Sequence, residues 1–375
     1  MRVAVVGISE KQACGVRDHA TLLAGALERR GLTCSMHWIT REARGARASV
    51  AELSRFRRRL ERELADERPD AILVHYSVFA YSLKGLPVGV PAMFATLRRV
   101  GVPVVGVLHE YAYPWRYGGW RGAVWAISQR AVMPAVMRSL DGAIVTAEQR
   151  ERWLRTRRWL PSRPVANAPV FSNLPAPRTP AREAAAADVI GLFGYAYQGA
   201  ASELVLDALA SLREQRGDVE LRLLGWPGPD APGGAEWLRL AGARGVAHAL
   251  SFTGPLPAQE LSDQIAACEV LLFADRAGPS SRKGSLAGSL ASGRPIVAID
   301  GPMTWDAFRR AGALRVVAPN AAALRDELAT LLADRGALEA QGARGLDFYE
   351  REMSLGLTAE RALELLSLQR ARAVS

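Results

Sequence analysis

Short runs of β-branched and other apolar residues recur along this chain, each followed by a longer stretch of helical periodicity. That alternation constrains the fold more than any other feature, because parallel strands joined by helices form a sheet covered on its faces. The class is α/β. In the first half the strands read Val3–Ile8, Thr33–Trp38, Ala71–His75, Val102–Leu108 and Gly142–Thr146, with helices at Ala20–Arg30 and Val50–Glu67. Pro169, Pro175, Pro177 and Pro180 then interrupt the rhythm, and few bulky side chains follow in Ala181–Ala187. The pattern restarts at Asp188. It continues through strands at Val189–Gly194, Glu220–Leu224, Ser251–Thr253, Val270–Ala274 and Pro295–Ile299, and helices at Ser202–Gln215, Pro257–Ala267, Ser285–Ser292, Ala321–Asp334 and Ala337–Glu350. A last amphipathic helix follows Met353. The expected domains are 1–172, a linker 173–187, a second domain 188–350 and a C-terminal helix 351–375. At about 150 residues per domain the length suits two domains.

Hydrophobic residues make up 49% of the 375 positions, enough for two cores, which excludes wholesale disorder. The 48 Lys+Arg against 38 Asp+Glu leave a net charge of +10, which favours an anionic partner: a nucleotide, a phosphorylated lipid or a membrane surface. Cys14, Cys34 and Cys268 are far apart and outside any Cys/His motif, so neither a disulfide framework nor a metal site is expected, and a reducing, cytoplasmic compartment fits. The apolar run Val3–Ile8 is too short for a signal-peptide core, and prolines break the uncharged stretch Gly85–Leu97, so any membrane contact is peripheral, at the inner face. Arg150–Arg163, which interleaves Trp153, Leu154, Trp159 and Leu160 with arginines, is either such a contact or a solvated helix with its tryptophans turned inward. No nucleic-acid module is present in the sequence.

Three segments carry chemistry. After the first strand, Cys14-Gly15-Val16-Arg17-Asp18 opens a helix, and Gly15, Val16 and Arg17 are candidates for an acceptor or phosphate loop. His109 and Glu110 follow an apolar strand, where open α/β sheets bind ligands. They are the candidate catalytic pair, Glu110 orienting His109 or accepting an acceptor hydroxyl. His75 reads as a core or rim residue, while His19, His37 and His248 carry no constellation. The richest stretch joins Asp275-Arg276-Ala277-Gly278-Pro279-Ser280-Ser281-Arg282-Lys283-Gly284-Ser285-Leu286. A buried strand there meets a Gly/Ser loop with three cations and the start of a helix, the makings of a diphosphate cradle with Ser285 as helix cap or phosphate ligand.

Taken in order, several segments resemble the GT-B glycosyltransferases, in particular the retaining family-4 type. They are Cys14–Asp18, His109-Glu110-Tyr111, Asn173-Leu174-Pro175, Leu192-Phe193-Gly194, Leu223-Leu224-Gly225, Ser251–Leu256, Leu271-Leu272-Phe273 and Leu290-Ala291-Ser292-Gly293-Arg294-Pro295. The resemblance implies two Rossmann-like domains facing a cleft, with a C-terminal helix crossing back to the first. It implies donor binding by Gly194, Gln198, Arg276, Arg282, Lys283, Gly284, Ser285 and Leu286, and contact of His109 with the donor sugar. Two departures stand out. The Glu-x7-Glu pair of the family falls on Ser280 and Gly288, where Arg282-Lys283-Gly284-Ser285-Leu286 resembles an R-[RK]-G-S-L variant, and the family's Lys-Gly is Gln198-Gly199.

The expected function is transfer of a sugar from a nucleoside-diphosphate donor to a small-molecule, lipid-linked or glycan acceptor, without metal or other cofactor. Bacterial cell-surface glycan or natural-product glycosylation is the expected setting. The alternatives are a non-catalytic nucleotide-sugar-binding protein or partner subunit, and a nucleotide-sugar 2-epimerase.

Overall fold

The computed structural model describes residues 1–11, 14–43, 45–115, 118–178, 188–195, 199–225 and 227–374, with backbone alone for 369–374. The chain divides into two compact units, Met1–Pro169 together with the segment from Leu355, and Val170–Ser354.

In chain order the first unit contains β1 (Arg2–Ser9), α1 (Gly15–Glu28), β2 (Thr33–Thr40), α2 (Ala46–Glu67), β3 (Ala71–Ser77), α3 (Val90–Arg99), β4 (Val104–Glu110), α4 (Gly119–Ala131), α5 (Met133–Ser139), β5 (Gly142–Val145), α6 (Glu148–Thr156) and β6 (Val165–Asn167). The strands form one parallel sheet in the order β2-β1-β3-β4-β5-β6. Its central strands are buried almost throughout, which is why they read as continuous apolar runs instead of alternating ones. Gly7 on β1 lies between Trp38 on β2 and His75 on β3. The Trp38 ring occupies the space a Cβ at Gly7 would need, 2.0 Å from its Cζ3.

The second unit contains β7 (Asp188–Phe193), α7 (Ser202–Arg216), β8 (Val219–Leu224), α8 (Pro232–Gly242), β9 (Leu250–Gly254), α9 (Ala258–Ala266), β10 (Val270–Phe273), α10 (Gly284–Ala291), β11 (Ile296–Ile299), α11 (Asp306–Arg310), β12 (Arg315–Val317), α12 (Ala321–Ala333) and α13 (Arg335–Glu352). Its sheet is also parallel, ordered β12-β11-β10-β7-β8-β9. The last helix, α14 (Leu355–Val374), returns to the first unit, where it packs on α1, β4 and β5. Ala359, Ala362 and Leu366 are fully buried in that contact.

The proline-rich stretch differs from a free linker beginning at 173. Val170 N–H donates to Ser281 O, Ser262 Oγ donates to Pro175 O, and Arg178 grips Asp263 through its guanidinium and its backbone N–H. Residues 170–178 are therefore fastened to the second unit; 179–187 lie outside the described residues. No helix among the described residues is long and apolar enough to cross a membrane.

The seat of α14 on β5 is tight, because a Cβ at Gly142 would lie 3.2 Å from Leu365 Cδ2. Gly142→Val should therefore push the helix off the strand and destabilise the protein by about 1–3 kcal/mol. A lowered urea midpoint is the expected reading, and an unchanged midpoint would mean that α14 is not held there.

Candidate functional site

In the first sheet the strand order reverses between β1 and β3: β2 continues to one side, β3 to β6 to the other. Loops diverge at such a point and leave an opening beyond the carboxyl ends of the strands. Three histidines meet at this place. His19 comes from the buried face of α1, His75 from β3 and His109 from the neighbouring β4. One ring nitrogen from each lies within 4.8 Å of the others. His75 Nδ1 and His109 Nε2 are hydrogen-bonded at 3.1 Å with their rings stacked, and His19 meets His109 edge-on at 4.8 Å between centroids. Tyr81 Oη donates to His75 O at 2.9 Å and fixes the strand end.

Burial disfavours the imidazolium form at all three. It pushes His109 down to about 3, the nearby Arg150 charge adding to the effect, and holds His19 and His75 well below the ordinary histidine range. At neutral pH the trio is a set of uncharged hydrogen-bonding groups, able to meet sugar hydroxyls or to ligate a cation. His75 and His19 are the members that sequence reading missed. Only helical phase could have shown that His19 shares the buried face of α1 with Leu23 and Leu27.

A stability signature follows. The unfolded chain binds a proton at each histidine below about pH 6.5, while the folded one resists it. The unfolded state thus holds more protons, so stability is fully present above that pH and falls as pH drops from about 6.5 toward 3. The slope is up to about 1.4 kcal/mol per pH unit for each histidine. His75→Asn should flatten it between about pH 7 and pH 5 in urea titrations; an equal slope in variant and parent would contradict the burial of these rings.

Other first-unit residues stand differently from expectation. His109 lies inside β4, not beyond it, and Glu110 is the last residue of that strand. Successive strand side chains point to opposite faces, so His109 is oriented by His75, whereas Glu110 is exposed and lies 4.0 Å from Arg150. Gly15 and Arg17 are exposed and Val16 half-buried in the first turn of α1. Asp18 occupies the same turn. The stretch Arg150–Arg163 is not one amphipathic helix: α6 ends at Thr156, Trp153 packs between Tyr111 and Trp159, and Arg152 and Arg155 pair with Glu148 and Glu151. His37 is bonded to Glu63 and Glu67, and His248 to Arg213.

In the second sheet the order reverses between β7 and β10. Gly194 follows β7 with φ +81°, a conformation that favours glycine. The loop after β10 is organised by Asp275, whose side chain is only 4% exposed. Its Oδ1 accepts from Ala277 N–H at 2.9 Å and its Oδ2 lies 2.7 Å from Lys283 Nζ. Arg276 N–H donates to Gly199 O, tying this loop to the one after β7. Helix α10 then begins at Gly284 with no side-chain cap, and the space beside Gly284 is open. The backbone N–H groups of its first turn are thus available to an anion.

Residues 187–334 match the family described as Glycosyl transferases group 1. The whole chain is similar in structure to sucrose-phosphate synthase from Thermosynechococcus elongatus, with 17% identity, TM-score 0.69 and all of both chains covered. Similar too are WaaG, a glycosyltransferase involved in lipopolysaccharide biosynthesis (14%, TM-score 0.66, 98% of this chain and 99% of that one), and Anabaena Alr3699/HepE in complex with UDP (13%, TM-score 0.71, 98% and 100%). The fold is GT-B. No curated protein matches the sequence.

Within the matched stretch 187–334, sequence reading missed Asp275, the hub of the β10–α10 loop. It sits directly after an apolar strand, where a carboxylate has to be satisfied by its own loop. Lys283 shares its charge with that carboxylate. The remaining cations of the loop are Arg282, half-buried, and Arg276, exposed. The side chain of Leu286 is fully buried among core residues, so it offers a ligand nothing beyond its backbone, and Ser285 lies inside the helix and does not cap it. Gln198 lies outside the described residues. Ser280 is buried, and a Cβ at Gly288 would already touch Phe193, Leu174 and Ser172 at 3.3–3.6 Å. A longer carboxylate has no room there. Gly288→Glu should destabilise the domain by about 1–3 kcal/mol or more; a variant as stable as the parent would show that the position opens.

Proposed function

We propose that the protein is a nucleotide-sugar glycosyltransferase, moving a sugar from a nucleoside-diphosphate donor to an acceptor hydroxyl with retention of configuration and without a metal. The observation that carries this reading is the loop between β10 and α10, which lies inside the group 1 domain and joins an open helix N-terminus to Arg282 and Lys283. In the transfer, the acceptor hydroxyl oxygen bonds to the anomeric carbon while the bond to the diphosphate breaks; negative charge gathers on the departing diphosphate, which takes up the hydroxyl proton. The N–H groups at Gly284 and Ser285, with Arg282, are placed in this reading to stabilise that charge. Gly194 lets the backbone turn beside the nucleotide, Arg276 meets the anion from the rim, and Lys283 serves mainly to hold Asp275 and with it the loop.

His109, uncharged at neutral pH, hydrogen-bonds a donor-sugar hydroxyl and does not act as an imidazolium acid. His19 and His75 fix its position. The complex of HepE with UDP favours a nucleoside diphosphate as the ligand class to try first. The acceptor is a small molecule, a lipid-linked sugar or a glycan, met on the cytoplasmic side of a bacterial membrane during cell-surface glycan or natural-product synthesis.

Thermal stabilisation by UDP, GDP, ADP and dTDP tests the donor reading, since a ligand that binds only the folded state raises the melting temperature. One nucleotide should stand out, and Arg282→Ala should weaken its binding about tenfold or more, the worth of a charge-assisted hydrogen bond. Silence across the panel would defeat the proposal, and conversion of the donor without an acceptor would favour the epimerase. EDTA should leave transfer unchanged. Loss of activity restored by a divalent cation would reassign the chemistry to a metal, with the histidine trio the nitrogen cluster to examine.

A further inference from the structure

Helix α4 carries its apolar residues on the wrong side for a surface helix. Gly122, Ala126 and Gln129 face inward and are buried. On the opposite face, at the i, i+4, i+7 spacing, Trp120 is 74% exposed, Val124 43% and Ile127 58%. Two neighbours extend this surface. Trp115, 56% exposed, lies under the Arg130 guanidinium at 4.3 Å, and the loop reaching Leu86 and Val88, both exposed, is held to α4 by Gln129 Nε2 donating to Gly85 O at 2.9 Å. Scattered apolar side chains on a surface are ordinary, but a stripe that contains Trp120 and has Trp115 beside it points to a contact surface.

The charge of the segment identifies the occupant. From Tyr111 to Leu140 the sequence has no Asp or Glu, while Arg116, Arg121, Arg130 and Arg138 fall within it. The Arg121 guanidinium sits 5.5 Å from the Trp120 ring, so cation and indole face the same ligand. Exposed indoles beside arginines, on a helix that presents its apolar side outward, suit the boundary between lipid headgroups and acyl chains. The basic stretch at 150–163 lacks this arrangement, its Leu154 and Leu160 being buried and two of its arginines paired within α6. We infer that the outward face of α4, with Trp120, Val124 and Ile127 at its centre, docks the protein onto an anionic lipid surface. This stands independently of the transfer reaction.

Sedimentation with vesicles tests it. The full-length protein should bind vesicles of equal parts phosphatidylcholine and phosphatidylglycerol, bind phosphatidylcholine vesicles weakly, and release as salt is raised. The double variant Trp120→Ser, Ile127→Ser should lose about tenfold or more of this binding, with an unchanged melting temperature because both side chains are exposed. Binding by the variant equal to that of the parent, absence of binding by the parent, or equal binding to both vesicle types would overturn the inference. So would a concentration-dependent dimer abolished by the same variant without vesicle binding, which would give the face to a second copy of the chain.

Discussion

Each parallel sheet reverses its strand order once, and the chemistry of both units depends on that reversal. A strand run that turns back on itself leaves two neighbouring loops departing in opposite directions, and the backbone there cannot close over the strand ends. In the first sheet the opening lies between β1 and β3, and the histidine trio stands at that end of the sheet; in the second it lies between β7 and β10, next to Asp275. Apolar strands hold these polar groups at fixed height. Two contacts join these polar groups to one another, His75 Nδ1 with His109 Nε2 and Asp275 with Lys283.

Asp275 and His75 show how such ends are stabilised. Asp275 binds the backbone of its own loop and the ammonium of Lys283, tying the two ends of the loop together. His75 fixes the ring of His109, which burial keeps uncharged. The first arrangement suits a developing anion and the second suits neutral hydroxyls. The division follows from local charge: cations and free helix N–H groups in the one case, imidazoles stripped of theirs in the other.

Much of this was legible in the sequence because parallel strands buried on both faces leave unbroken apolar runs, as at Ala71–His75 and Val270–Phe273. The α/β class, the restart near Asp188 and the loop with Arg282 and Lys283 came from such patterns. What escaped depends on tertiary placement. His19 and His75 are far from His109 along the chain, and only the sheet order brings them together. Gly288 is explained by the bulk of Phe193 and Leu174 beside it, not by local spacing. Helix α4 escaped because sequence pattern takes an apolar stripe for the buried face, whereas its Trp120, Val124 and Ile127 point outward and Gly122, Ala126 and Gln129 inward. Arg150–Arg163 misled in the opposite direction, its regular charges belonging to a short helix that packs its own tryptophan inward.

The central claim is that the β10–α10 loop, inside the stretch that matches the group 1 family, receives a diphosphate. Hydrogen exchange with and without the nucleoside diphosphate that stabilises the protein most would test it directly, because backbone N–H groups engaged by an anion exchange more slowly. The account predicts new protection concentrated in the backbone from Asp275 to Leu286 and at Gly194. Protection that spares these residues and gathers elsewhere in the chain would contradict it.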